Sequence, residues 1–235
     1  MVQPNYVLPL SSPLLTLEMA GGKGANLARL MRAGFPVPGG FMVSTPAYRA
    51  FVEQAGLNEI IARETAALDA NDPEQLEAVS ARIRGWFEQQ PVPEEIARGI
   101  LESYCEIGQP PVAVRSSATA EDLPEFSFAG QQDTYLNVRG EAALLDAVRS
   151  CWGSLWTARA IGYRARNAVP QEGIALAVVV QAMVESESSG VMFTANPLTG
   201  QRGEVVIDAI FGLGEALVSG RSEPDQIIVR KSRNG

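Results

Sequence analysis

Two cations in this chain stand where anion chemistry is possible. The first is Lys23 in "GGKGANL", residues 21–27, set among Gly21, Gly22 and Gly24. Glycines leave backbone N–H groups unshielded, and a helix starting near Lys23 aims its partial positive end at the same space. Together these features make an anion pocket; the competing reading is a plain helix entry with a solvated lysine. The spacing is not that of a Walker A loop, which runs G-x-x-x-x-G-K-[ST], because Gly24 follows Lys23.

The second cation is Arg115 in "PPVAVRSS", residues 110–117, where an apolar run ends in the hydroxyls of Ser116 and Ser117, with Thr119 just beyond. A guanidinium fixed at a strand end forks two N–H groups onto phosphate oxygens, and hydroxyls fill the remaining acceptor sites. The following stretch carries Glu121, Asp122, Pro124 and Gly130 and is polar and long enough to act as a lid. A salt bridge from Arg115 to Glu121 or Asp122 is the open alternative. A third constellation, Gly212, Gly214 and Gly220, invites a dinucleotide reading. It fails because Leu217 stands where that fingerprint needs Gly or Ala. Taken singly, these glycines serve turns or let the backbone pass close to a neighbour.

Composition limits what such sites do. The chain has 235 residues, 46% of them hydrophobic, enough for one large domain or two small lobes. A net charge of −8 argues against a nucleic-acid surface. Histidine is absent, which excludes Ser-His-Asp and Cys-His catalysis, histidine metal ligands and a phosphohistidine within these residues. Any divalent metal here needs oxygen ligands, as suits Mg²⁺. Cys105 and Cys151 are far apart, without CxxC spacing, and are expected to be buried thiols. No apolar run is long enough to cross a bilayer and the first residues lack signal-peptide character, so a soluble, cytoplasmic protein is expected.

The elements that must position the two cations change in texture near residue 110. Before it, proline and acidic start signals predict helices over 45–56, 72–89 and 93–108. After it, 110–117 and 173–184 read as buried strands, and 190–212 as two strands joined by a turn at 197–200. Residues 141–166 carry Leu144, Leu145, Val148, Trp152, Leu155 and Trp156 at helical spacing. The expectation is an α+β protein with a mostly helical lobe over 1–110 and a strand-rich lobe with a mixed or antiparallel sheet over 111–235.

Four segments, 21–48, 112–138, 181–200 and 207–225, resemble in order the N-terminal ATP-binding domain of the pyruvate phosphate dikinase and phosphoenolpyruvate synthase family. The resemblance implies an ATP-grasp fold that hands phosphate to a histidine on a separate swivelling domain, from which another domain passes it to the final acceptor. It implies Lys23 and Arg115 on the ATP phosphates, with Ser116 and Ser117 assisting. Gly130 and Thr134 would touch the nucleotide from the loop, and Gln181 would reach its adenine or ribose side. Glu215 would support its glycine loop or contact metal. The Mg²⁺ ligands, swivelling domain and acceptor domain are expected beyond Gly235, making this strand-rich lobe incomplete and the chain inactive by itself. Phosphoenolpyruvate synthase is the favoured owner. The alternatives are the ATP-binding domain of a rifamycin phosphotransferase and a non-catalytic nucleotide- or partner-binding module.

Overall fold

The computed structural model describes residues 5–118, 134–171 and 173–231. A short strand β1 (Val7–Pro9) leads to helix α1 (Leu17–Arg32), capped by the Thr16 hydroxyl on Met19 N. Strand β2 (Gly40–Val43) follows, then α2 (Thr45–Gln54), started by a proline in its first turn, and α3 (Leu57–Thr65). Helix α4 (Pro73–Gln89) begins where Asp72 Oδ1 accepts from Gln75 N at 3.1 Å, with Pro73 in the first turn where its missing N–H costs nothing. Helix α5 (Glu94–Glu106) carries Glu94 and Glu95 in its first turn, which suits the positive end of the helix dipole.

Strand β3 (Val112–Ala118) precedes β4 (Thr134–Val138), and helices α6 (Glu141–Gly153) and α7 (Ala158–Arg166) are joined by a 3-10 turn over Ser154–Trp156. Strand β5 (Leu176–Ala182) is buried on both sides and occupies the middle of a five-stranded sheet ordered β1-β2-β5-β3-β4. Every pairing is antiparallel. Alternation sorts the sheet into two apolar layers. Phe41, Val43, Val112, Val114, Val178 and Val180 face the cluster built with α2–α7, where Phe51 stacks on Trp152 at 4.8 Å between ring centroids. Met42, Ala177 and Val179 face Ala20 and Ala28 of α1 on the other side.

The remaining strands, β6 (Ser188–Phe193), β7 (Glu204–Phe211) and β8 (Asp225–Arg230), form a separate antiparallel sheet in that order, with a single-turn helix α8 (Glu215–Val218) between the last two. The turn from β6 to β7 is made by Asn196, whose Oδ1 accepts from Leu198 N and Thr199 N at 3.0 and 3.1 Å. The chain divides into two compact units after Met183, not at residue 110. The reason is pairing: β2, from the stretch expected to be helical, lies against β5 over Gly40↔Gln181 to Val43↔Val178, which ties both halves into one sheet. Cys151 is buried as expected, whereas Cys105 is exposed. No helix among the described residues is long and apolar enough to cross a membrane.

Candidate functional site

The glycine-lysine segment does not run as smooth helix. Gly21, inside α1, has φ 65° and ψ 179°, so α1 is two helical pieces meeting at a kink. The second piece starts immediately before Lys23, which puts a fresh set of helix N-terminal amides beside the lysine. A left-handed φ is open to glycine at little cost, and a second constraint acts on the same atom. A Cβ on Gly21 would sit 2.2 Å from the backbone carbonyl oxygen of Ser117. Gly24 is also packed tightly, its missing Cβ replaced by the thioether of Met42.

Ser117 is what the kink rests on. Its Oγ donates to Ala20 O at 2.7 Å and accepts from Gly24 N at 3.1 Å, and the residue is fully buried. The hydroxyl expected to assist on a phosphate is therefore committed to the backbone of α1. Ser116 alternates to the other face: it pairs across the ladder with Val178, a member of the α2–α7 core, and is buried there. Neither serine side chain presents itself to a ligand on the α1 side of the sheet.

The other expected residues do share that side. In antiparallel strands, directly opposed residues project to the same face. Arg115 opposes Val179 on one flank and Thr134 on the other, Ser117 opposes Ala177, and Ala113 opposes Gln181. Because Ala177 and Val179 pack against α1, the register sets Arg115, Thr134 and Gln181 on the face that α1, the helix of Lys23, covers. Arg115 is half-buried and enters no ion pair among the described residues. Thr134 is exposed at the start of β4. Gln181 is buried and its Nε2 donates to Pro38 O at 3.1 Å, which fixes the amide's orientation. From the level of Ser117 to that of Gln181 is four residues of β5, about 14 Å at strand rise. Gly130, like Glu121 and Asp122, lies outside the described residues.

The arrangement is thus a strip along one sheet face. The helix-start amides beside Lys23 stand at one end, Arg115 and Thr134 midway and a fixed amide at the other end, a donor set that suits an elongated polyanion with a heterocyclic head. Residues 17–235 match the family model described as pyruvate phosphate dikinase, AMP/ATP-binding domain. The chain belongs to that family. As a member of the pyruvate phosphate dikinase AMP/ATP-binding family it is 48% identical over 225 residues to the phosphoenolpyruvate synthase of Aeropyrum pernix, covering 92% of this chain and 27% of that protein. It is 50% identical over 219 residues to a probable phosphoenolpyruvate synthase of Methanothermobacter thermautotrophicus, covering 91% and 32%. With the phosphoenolpyruvate synthase of Pyrococcus furiosus it shares 43% identity over 253 residues, covering 92% and 31%. The chain therefore spans about a third or less of the length of these relatives.

The third sequence constellation lies in the second unit and is structural. Gly212 and Gly220 adopt left-handed φ values of 77° and 69°, closing the ends of β7 and α8. Gly214 approaches Ser189, whose hydroxyl donates to Gly212 O. Glu215 pairs with Arg221 at 3.4 Å, bracing the loop around α8. Among the described residues no three acidic or cysteine side chains converge as a metal site.

Sequence reasoning missed Arg164. Only 1% exposed, it stacks at 5.0 Å over the Trp156 ring, donates from Nε to Gln171 Oε1 at 2.7 Å and from an Nη to Leu155 O at 2.9 Å. Burial lowers its pKa to about 10, and the phenol of Tyr48 partly offsets this. Its position on α7 gave no signal, since a lone arginine in a helix is ordinarily solvated.

Proposed function

We propose that the chain is the ATP-binding part of a phosphoenolpyruvate synthase-like dikinase in the cytoplasm, holding MgATP while phosphate from it passes to a histidine on another domain and from there to pyruvate, with AMP and inorganic phosphate as the other products. Phosphoryl transfer asks a protein to place the polyphosphate and offset its charge, not to supply a nucleophile. Lys23 acts as a point charge beside the helix-start amides of α1, and Arg115 forks onto phosphate oxygens from β3. Thr134 contacts the nucleotide from the start of β4, opposite Arg115, and Gly130, outside the described residues, is a further contact. Gln181 offers its amide oxygen to the adenine amino group, its own NH₂ being held by Pro38. Magnesium enters as part of the substrate. A chain without histidine requires the phosphorylated imidazole to come from elsewhere.

The observation that carries this reading is the ladder register that sets Arg115, Thr134 and Gln181 on the α1 face of the sheet, beside the kink before Lys23. The test is thermal unfolding of the chain with increasing MgATP. Nucleotide at 100 times its dissociation constant should add about 2.7 kcal/mol of stability. No shift at millimolar MgATP would count against the reading and favour a non-binding module.

A further inference from the structure

The break in α1 has an identifiable cause. In an unbroken helix Gly24 N would donate directly to Ala20 O, the i to i−4 bond. Here those same two groups are bridged by one atom from another element: Ser117 Oγ accepts from Gly24 N and donates to Ala20 O. A side chain inserted into the helical hydrogen-bond ladder is one of the few recognised causes of a sharp helix kink. The insertion falls where Gly21 turns left-handed, and the Ser117 carbonyl occupies the space that any Cβ on Gly21 would need. Ser117 is on the same strand as Arg115, two residues away and on the same face. One strand thus carries a phosphate-directed cation and also sets the helix start beside the other cation.

We infer that Ser117 is a positioning residue whose hydroxyl, wedged into the Gly24–Ala20 hydrogen bond, holds α1 open and fixes Lys23 relative to Arg115 for the triphosphate. This rests on the proposed ATP site and gives the buried serine a role different from direct phosphate contact. Losing the wedge leaves Arg115 and Gln181 in place. What is lost is the register of Lys23 and the amides next to it, so the effect falls on the phosphate end of the ligand and spares the adenine end.

The experiment titrates the 235-residue chain with MgATP by calorimetry and with adenosine by ligand-observed NMR, for the wild type, Ser117→Ala and Val114→Ala. Val114 is buried on the same strand but faces the α2–α7 core, so its truncation loosens β3 without touching the wedge. Ser117→Ala should weaken MgATP about tenfold, the size of one lost contact of 1.4 kcal/mol, with adenosine affinity unchanged. Val114→Ala should lower the melting temperature and leave both affinities as they were. If Ser117→Ala does not fold, Ser117→Cys, close in shape but weak as donor and acceptor, is read in the same way. Equal losses for MgATP and adenosine, or an equal MgATP loss in Val114→Ala, would reduce Ser117 to a packing residue. An unchanged MgATP affinity in Ser117→Ala overturns the inference and leaves the proposed function standing. A wild type that binds neither ligand overturns both.

Discussion

Two substitutions at single residues tell a loss of binding alone from a loss of binding that comes with a weaker fold. Arg115 is half-buried on the α1 side of β3 and holds no carboxylate among the described residues, so under the proposed function Arg115→Ala removes phosphate contacts without stranding a buried partner. Hydrogen bonds to charged groups contribute about 1.5–3 kcal/mol, which sets the expected loss of MgATP affinity at roughly 10- to 100-fold, with the melting temperature close to wild type. Calorimetric titration beside a thermal melt checks both halves; a collapse of the fold would mean that Arg115 is structural. Gly21→Ala should lose stability as well as affinity. At φ 65°, with 2.2 Å between the new Cβ and the Ser117 carbonyl oxygen, the substitution strains the backbone and collides with a group that has no rotamer to escape into. A cost of about 1–3 kcal/mol is expected from the backbone conformation alone. The variant should therefore unfold at lower denaturant and bind MgATP poorly, even though no side chain has been removed.

At the scale of elements, α7 is held by the buried Arg164. Arg164→Leu keeps the bulk over Trp156 but deprives Gln171 Oε1 and Leu155 O of their donors. The expected loss is about 3 kcal/mol, and lysine should not rescue it because it lacks the planar fork that reaches both oxygens. Chemical denaturation of the two variants decides this. A milder effect joins α3 to α4, where the guanidinium of Arg82, 2.7 Å from Glu64, holds that carboxyl below its ordinary range. The depressed value means the folded state binds the proton less readily than the unfolded chain. The contribution is thus complete above the ordinary carboxylate pKa and disappears as pH falls through the folded value. The pair lies near the surface, so Glu64→Gln should lose less than about 1 kcal/mol at neutral pH and nothing in strong acid. The helices were legible because their ends carry local signals: Asp72 and Pro73 mark the start of α4 within a residue. Strands β1 and β2, three and four residues long, are too short for a period to show, and α3 hides behind Gly56, which reads as a helix end. Of the proposed site, Lys23 and Arg115 could be picked out by residue type. The use of Ser117 could not, because its partners lie 93 and 97 residues away.

For the whole molecule, the boundary between units depends on which strands pair, and periodicity carries no information on pairing across more than a hundred residues. The same accounting of burial separates the two units in stability. The first has apolar layers on both faces of its sheet, from Phe51, Phe87 and Trp152 on one side to Met42 and Val179 on the other. In the second, Val206 is the one hydrophobic residue among those described that is fully buried, while Phe211, Val218, Ile227, Ile228 and Val229 are exposed. Ordering a residue costs about 1–2 kcal/mol of backbone entropy, and a three-stranded sheet needs a covered apolar face to offset it. Residues 1–183 expressed separately should therefore unfold in one cooperative transition, whereas residues 184–235 alone should show neither dispersed amide resonances nor a sigmoidal melt. Because Lys23, Arg115, Thr134 and Gln181 all lie in the first unit, residues 1–183 should also retain measurable affinity for adenosine. A cooperative melt from the isolated 184–235 peptide would show that cross-strand pairing stabilises this sheet more than its buried area suggests, so that burial does not set the stability of the second unit.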